Sequence, residues 1–293
     1  MRFGAFALAI TLSMAWLPAH GGIQVGDDTY RIEQLTPDIY LLVGGRGGNV
    51  AFRVGERGVL VIDDQFADLA PSIRAAIETV TSKPIKYLVN THHHGDHSGG
   101  NVFFKQYTEI VAHENVRRNL IELRPDNVAL EDLGTPTVTY AREMRIYLDD
   151  AEANIFHLNR GHTSGDSVVY FPRQKIVHMG DLYFNGRHPF IDIGSGASTK
   201  GWINFLDGVL DRIPSDARII PGHGPVSGPE GLRNFQNYFK ELRSKVTAAL
   251  DQGLTRQEAI ERITIEVSRE WPTQRGQENI GIVYDEVRLE TLK

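Results

Sequence analysis

The sequence predicts an α/β domain with a helical C-terminal part, and three observations carry that prediction. Segments 29–35, 39–43, 50–54 and 58–62 are short apolar-rich runs separated by turn residues, the pattern of a strand meander. From residue 68 onward helical and strand patterns alternate, with an amphipathic stretch at 68–79 followed by the apolar run at 85–89. After residue 228 apolar residues recur at spacings of three and four, as a helix facing a core requires.

At 293 residues, 41% hydrophobic and 23% charged, the chain can bury a sizeable core, and no repeat or low-complexity linker divides it. Its formal net charge of −6 leaves no basic footprint. That argues against nucleic acid or an anionic membrane surface as the main partner and favours a small-molecule substrate. Cysteine is absent, which excludes disulfides, thiolate ligands and a cysteine nucleophile, so any metal must be held by histidine and carboxylate.

Taken in order, the chain opens with Arg2, an apolar run over 3–17 and then Pro18-Ala19. That run is too short to span a bilayer and has the proportions of a secretory signal, so residues 1–19 are expected to be a signal peptide and 20–293 an exported, periplasmic or secreted, domain without stable membrane insertion. The strand meander follows. Its turn at 44–49, GGRGGN, lacks the spacing of a phosphate-binding loop and has no helix after it, so a flexible hairpin flap is expected. Asp63-Asp64 closes the fourth strand, where an acid pair reads as helix capping and turn formation in preference to metal ligation.

The run at 85–89 reads as a buried strand and delivers residues 90–101, NTHHHGDHSGGN. Four histidines and an aspartate fall within six residues there. In extended chain, side chains two apart point the same way, so His92 and His94 can offer imidazoles to one ion while His93 points away to packing. Gly95 eases a turn after which Asp96 and His97 can serve a second ion, the spacing two-metal hydrolases use.

Beyond the motif, 110–112 reads as a strand and 113–123 as a helix that His113 starts, followed by a surface loop to 137 and strands at 137–140, 144–148 and 153–158. His157 alternates with apolar neighbours and reads as a packed or edge histidine. The turn at 161–166, GHTSGD, can deliver His162 as a third nitrogen for the ion at His92 and His94. Strands at 167–171 and 175–178 lead to Asp181, a carboxylate at a strand terminus that suits a ligand and equally a cap or turn. A helix at 201–212 and a strand at 218–220 precede 221–225, PGHGP, a rigid turn that aims His223. Thr255 and Glu258 have the spacing of a capping box.

Four separated pieces thus stand in order: 92–97, His162, Asp181 and His223. In order, spacing and context they resemble the metallo-β-lactamase superfamily, over nearly the whole mature chain. The resemblance implies a four-layered αβ/βα sandwich with a dinuclear site at one edge. It also implies that His92, His94 and His162 bind one metal, that Asp96, His97 and His223 bind the other, and that Asp181 bridges them. Aspartate at 181, where some zinc β-lactamases carry cysteine, is similar to glyoxalase II. Zinc, two ions, is the expected cofactor, with Fe2+ or Mn2+ also compatible with a ligand set of histidines and carboxylates. The chemistry implied is hydrolysis by metal-activated water with Asp96 as the catalytic carboxylate, on a β-lactam amide or alternatively a thioester or lactone. A non-catalytic metal-binding protein is a third reading. Tyr183, Asn185, Arg187 and His188 are candidates for substrate contact, or else a plain surface loop.

Overall fold

The computed structural model describes residues 23–25, 28–272 and 275–292. The signal-peptide expectation lies outside them. Two sheets form. The first has eight strands in sequential order: β1 (Ile23–Val25), β2 (Asp28–Gln34), β3 (Ile39–Gly44), β4 (Val50–Val54), β5 (Val59–Ile62), β6 (Ile85–Val89), β7 (Glu109–His113) and β8 (Val138–Tyr140). The first five are an antiparallel meander. β5 to β8 run parallel, joined by crossovers that carry helices α1 (Ala70–Val80), the short α2 (Gly95–Ser98) and α3 (Asn101–Phe104), and α4 (Glu114–Glu122).

The second sheet runs β13 (Arg218–Ile220), β12 (Ile176–His178), β11 (Val168–Phe171), β10 (Glu152–Phe156), β9 (Glu143–Tyr147). Its outer face carries α5 (Thr199–Leu210), α6 (Pro229–Asp251), α7 (Arg256–Arg262) and α8 (Gly276–Thr291). Among the described residues no helix is long and apolar enough to cross a membrane.

Period-two alternation explains the layers. Leu60 and Ile62 point between the sheets and meet Ile155, Val169, Phe171 and Ile176 there. Their neighbours Val59 and Val61 point outward, under Ile73, Ala76 and Ile77 of α1. In the second sheet Val168, Val177 and Ile219 likewise turn outward, onto Trp202, Phe205, Phe235 and Phe239. Strands covered on both faces read as continuous apolar runs, which is why the sequence marks them so plainly. The result is helix, sheet, sheet, helix: the four layers expected.

The parallel pairing of β12 with β13 and of β5 with β6 sends several strand ends to one edge. β5 ends just before Asp63, β6 just before the histidine motif, β12 just before Asp181 and β13 just before His223. Residues at strand termini on one edge are free of the core and can face a ligand. The C-terminal helices are tied down by named contacts: Thr255 and Glu258 form the capping box of α7, and Glu286 of α8 accepts from Thr199 N at 2.9 Å at the start of α5.

Candidate metal centre

The seven expected residues converge, in two groups. His92, His94, His162 and Asp181 lie together, and Asp96, His97 and His223 lie together beside them. His92 Nε2 and His162 Nε2 stand 3.1 and 2.9 Å from His94 Nδ1, and His97 Nε2 stands 3.4 Å from His223 Nε2. Asp181 lies between the groups. Its Oδ2 faces His162 Nε2 and His92 Nε2 at 3.5 and 3.9 Å, while Oδ1 faces His97 Nε2 and His223 Nε2 at 3.0 and 3.4 Å. Asp96 Oδ2 is 3.2 Å from His223 Nε2.

The outer ring nitrogens settle what the inner ones offer. His162 Nδ1 donates to the Phe190 carbonyl at 2.8 Å, His94 Nε2 to Asp192 at 2.8 Å and His97 Nδ1 to Asp63 at 2.7 Å. Thr91 Oγ1 gives its proton to Asp63 Oδ2 at 2.8 Å and accepts from His92 Nδ1 at 3.1 Å. In each neutral ring the other nitrogen then carries a lone pair. Those lone pairs point at one another, which no hydrogen bond among them can satisfy, and Asp181 Oδ1 is buried without a hydrogen-bond partner. Imidazole nitrogens and carboxylate oxygens around a common centre are the donor set of a divalent cation, so the residues present fit such ions.

Electrostatics agree. Burial holds His92 well below the usual imidazole range and pushes His162 down to about 3, so neither carries charge. Burial also opposes charge on His97 and His223, but Asp181 outweighs it, with Asp63 at His97 and Asp96 at His223. His97 is raised well above its ordinary value and His223 to about 9. The carboxylates around the second group thus favour positive charge there, as a bound cation would supply.

Backbone shape matches this crowding. A Cβ at Gly48 would fall 2.1 Å from His97 Cε1, and one at Gly222 would fall 2.0 Å from Asp181 Oδ1, so at both positions only glycine lets the chain approach.

Three expectations are corrected. Asp63 and Asp64 cap no helix: α1 starts after Leu69, without a side-chain cap. Asp63 instead accepts from Thr91 N, Thr91 Oγ1 and His97 Nδ1, and Asp64 from Gly100 N, so the pair braces the histidine loop. The sequence placed an acid pair correctly at a strand end; contacts 28 and 34 residues away decide its role. The turn at 44–49 is a hairpin but not a free flap. Gly48 N donates to Asp96 O, Asn49 N to Gly222 O, and buried His178 to Asn49 O. Tyr183 is buried, its hydroxyl on Ser227, and belongs to the core.

Of the other substrate-contact candidates, Asn185 donates to Pro225 O and His188 packs on Tyr238 and Trp271. His93 turns away as expected, toward Ser195 Oγ at 3.1 Å. His113 caps α4, accepting from Asn115 N, and stacks on His157 at 4.1 Å. Sequence reasoning missed Asp192, which orients His94, and Phe190, an exposed ring beside His94 and His162. Neither sits in a recognisable pattern, and only the tertiary fold brings them in.

A protein with this two-sheet sandwich and paired histidine–aspartate groups at one edge is of the metal-dependent hydrolase class. The chain belongs to the metallo-β-lactamase superfamily, whose family model matches residues 43–251. Among its relatives is a metallo-β-lactamase type 2 of Bacteroides fragilis, 23% identical over 253 residues, spanning 82% of this chain and 98% of the relative. Solved structures of the same fold include a metallo-β-lactamase from Pontibacter korlensis, with TM-score 0.64, 21% identity and coverage of 72% of this chain and 99% of that one. A stereoselective inverting sec-alkylsulfatase from Pseudomonas has TM-score 0.67 and 18% identity, covering 88% of this chain and 50% of its own.

Proposed function

We propose that this chain is an exported hydrolase that holds two zinc ions and opens a cyclic amide of the β-lactam kind. His92, His94 and His162 would hold one ion, Asp96, His97 and His223 the other, and Asp181 both. The observation that carries this reading is Asp181, whose two oxygens face the two groups separately. Bound ions of this kind supply a water-derived nucleophile at neutral pH and polarise a carbonyl.

The chain's own residues do the rest. Asp63, Thr91, Asp192 and the Phe190 carbonyl keep the inner nitrogens free of protons by occupying the outer ones. Asp96, half-buried beside His223, is placed to orient a water, hold the proton it gives up on the carboxylate oxygen that faces away from His223 and return it to the leaving nitrogen. Phe184 stacked on His223 and Trp202 against His162 exclude bulk water from one side. The β-lactam assignment is supported by relatives of that name in three organisms, two of them spanned almost end to end. A thioester or lactone substrate is favoured instead by the carboxylate at 181, where cysteine-bearing β-lactamases place sulfur.

The test is a hydrolysis panel of β-lactams, thioesters, lactones and phosphodiesters on the zinc-loaded mature protein. β-Lactam turnover, lost with chelator and restored by zinc, is the expected result. Turnover of thioesters or lactones alone hands the site to the second reading, and bound metal without any hydrolysis makes the chain a carrier. Export has its own check. Mass spectrometry of the protein from the cell envelope should find an N-terminus near His20, whereas an intact Met1 in the cytosol removes export and brings the thioester reading forward.

A further inference from the structure

We propose that Arg275 and Phe190 form a clamp that recognises an anionic group, a carboxylate or its equivalent, on the substrate. The inference rests on the hydrolase reading above and names a substrate feature that reading leaves open. Phe190 stands at the metal centre itself. Its carbonyl takes the His162 Nδ1 proton, its ring centroid lies 5.7 Å from that of His94 and 6.0 Å from that of His162, and 36% of the residue is exposed. The Arg275 guanidinium sits over that ring, 4.7 Å from its centroid. The cation is therefore no farther from the His94 ring than 4.7 and 5.7 Å laid end to end, within the reach of one small molecule held at the inner nitrogens.

Two features separate this placement from ordinary helix packing. Arg275 is exposed, no carboxylate lies in ion-pair range of it among the described residues, and it occupies the N-cap of the 16-residue α8 without a capping bond. A cation at the positive end of a helix is locally unfavourable, so the stability of α8 gives no reason for it. The geometry is also held in place. Buried Asn279, in the first turns of α8, donates to Pro189 O at 3.0 Å and to the Tyr238 hydroxyl at 3.0 Å, pinning the helix to the segment that carries Phe190. Arg275 lies beyond residues 43–251 that match the family model, so the cation of the clamp is a contribution of this chain's C-terminal part, set against a ring inside the matched segment. An unpaired guanidinium next to an exposed ring is the arrangement that takes a carboxylate on the fork and an apolar group on the ring face.

The experiment compares a carboxylate-bearing substrate with its methyl ester, using wild type, Arg275→Gln and Arg275→Lys. The ratio of kcat/KM for acid over ester should fall about 10- to 100-fold in Arg275→Gln, mostly through KM, and recover partly in Arg275→Lys. An unchanged ratio overturns the clamp. A second arm does not depend on which bond is cleaved: calorimetric titration of 3-mercaptopropionate and of its amide into the zinc-loaded proteins. Wild type should prefer the acid and Arg275→Gln should lose that preference, even if no β-lactam is hydrolysed. Equal binding of acid and amide to wild type overturns the proposal whatever the substrate turns out to be.

Discussion

Asp181→Ala is expected to lower turnover by about 100- to 1,000-fold and to reduce bound metal below that of the wild type, because one side chain serves both ligand groups. Removing it takes away a negative charge and the carboxylate whose two oxygens face His92 and His162 on one side and His97 and His223 on the other. Elemental analysis and steady-state kinetics on the same preparations decide the matter. Full metal content with wild-type turnover would show that Asp181 is no shared ligand. Asp181→Cys is the sharper companion: it keeps the charge but offers a soft sulfur in place of two hard oxygens, so it should change which ion is retained.

The second large effect belongs to Asp63, a residue that touches no ion in this reading. It sits in the left-handed region at φ 60°, is fully buried, and accepts three protons, from Thr91 N, Thr91 Oγ1 and His97 Nδ1. Asp63→Ala strands those donors and is expected to cost about 3–5 kcal/mol in metal-free protein. Urea denaturation of wild type and variant, with and without zinc, measures it. Asp63→Asn tolerates the backbone and can still accept from Thr91 N, but its amide group would face the two remaining donors. It should keep more of the fold than alanine while losing the orientation of His97, hence metal from the second group. An alanine variant as stable as wild type would refute the bracing role.

These two residues mark what was legible in the sequence. Asp181 could be placed with the histidines because strand, turn and carboxylate stand together in 175–182 and because three other segments supply its companions. The same local logic placed β4, β6 and β13 to the residue, and the capping box of α7, since each depends on neighbours in the chain. It failed where the partner is remote. Asp63 resembles any acid at a strand end until Thr91 and His97 arrive, and Asp192 acts on His94 across 98 residues. Tyr183 looked available because it follows Asp181, but Ser227 lies 44 residues on and closes over its hydroxyl. The short helices α2 and α3 escaped notice because four residues are too few to show a helical period.

The distribution of the candidate ligands across the chain bears on how ions would be acquired under the proposed assignment. If the two groups hold ions as proposed, each draws on both halves of the chain: His92 and His94 are completed by His162 and Asp181, and Asp96 and His97 by His223. Neither group is complete until both halves of the chain are present, so the full ligand sets would form only with the tertiary fold. Tight capture would then wait until the two sheets have closed on each other. The ion installed would then depend on what the surroundings offer at that moment as well as on the order of intrinsic affinities.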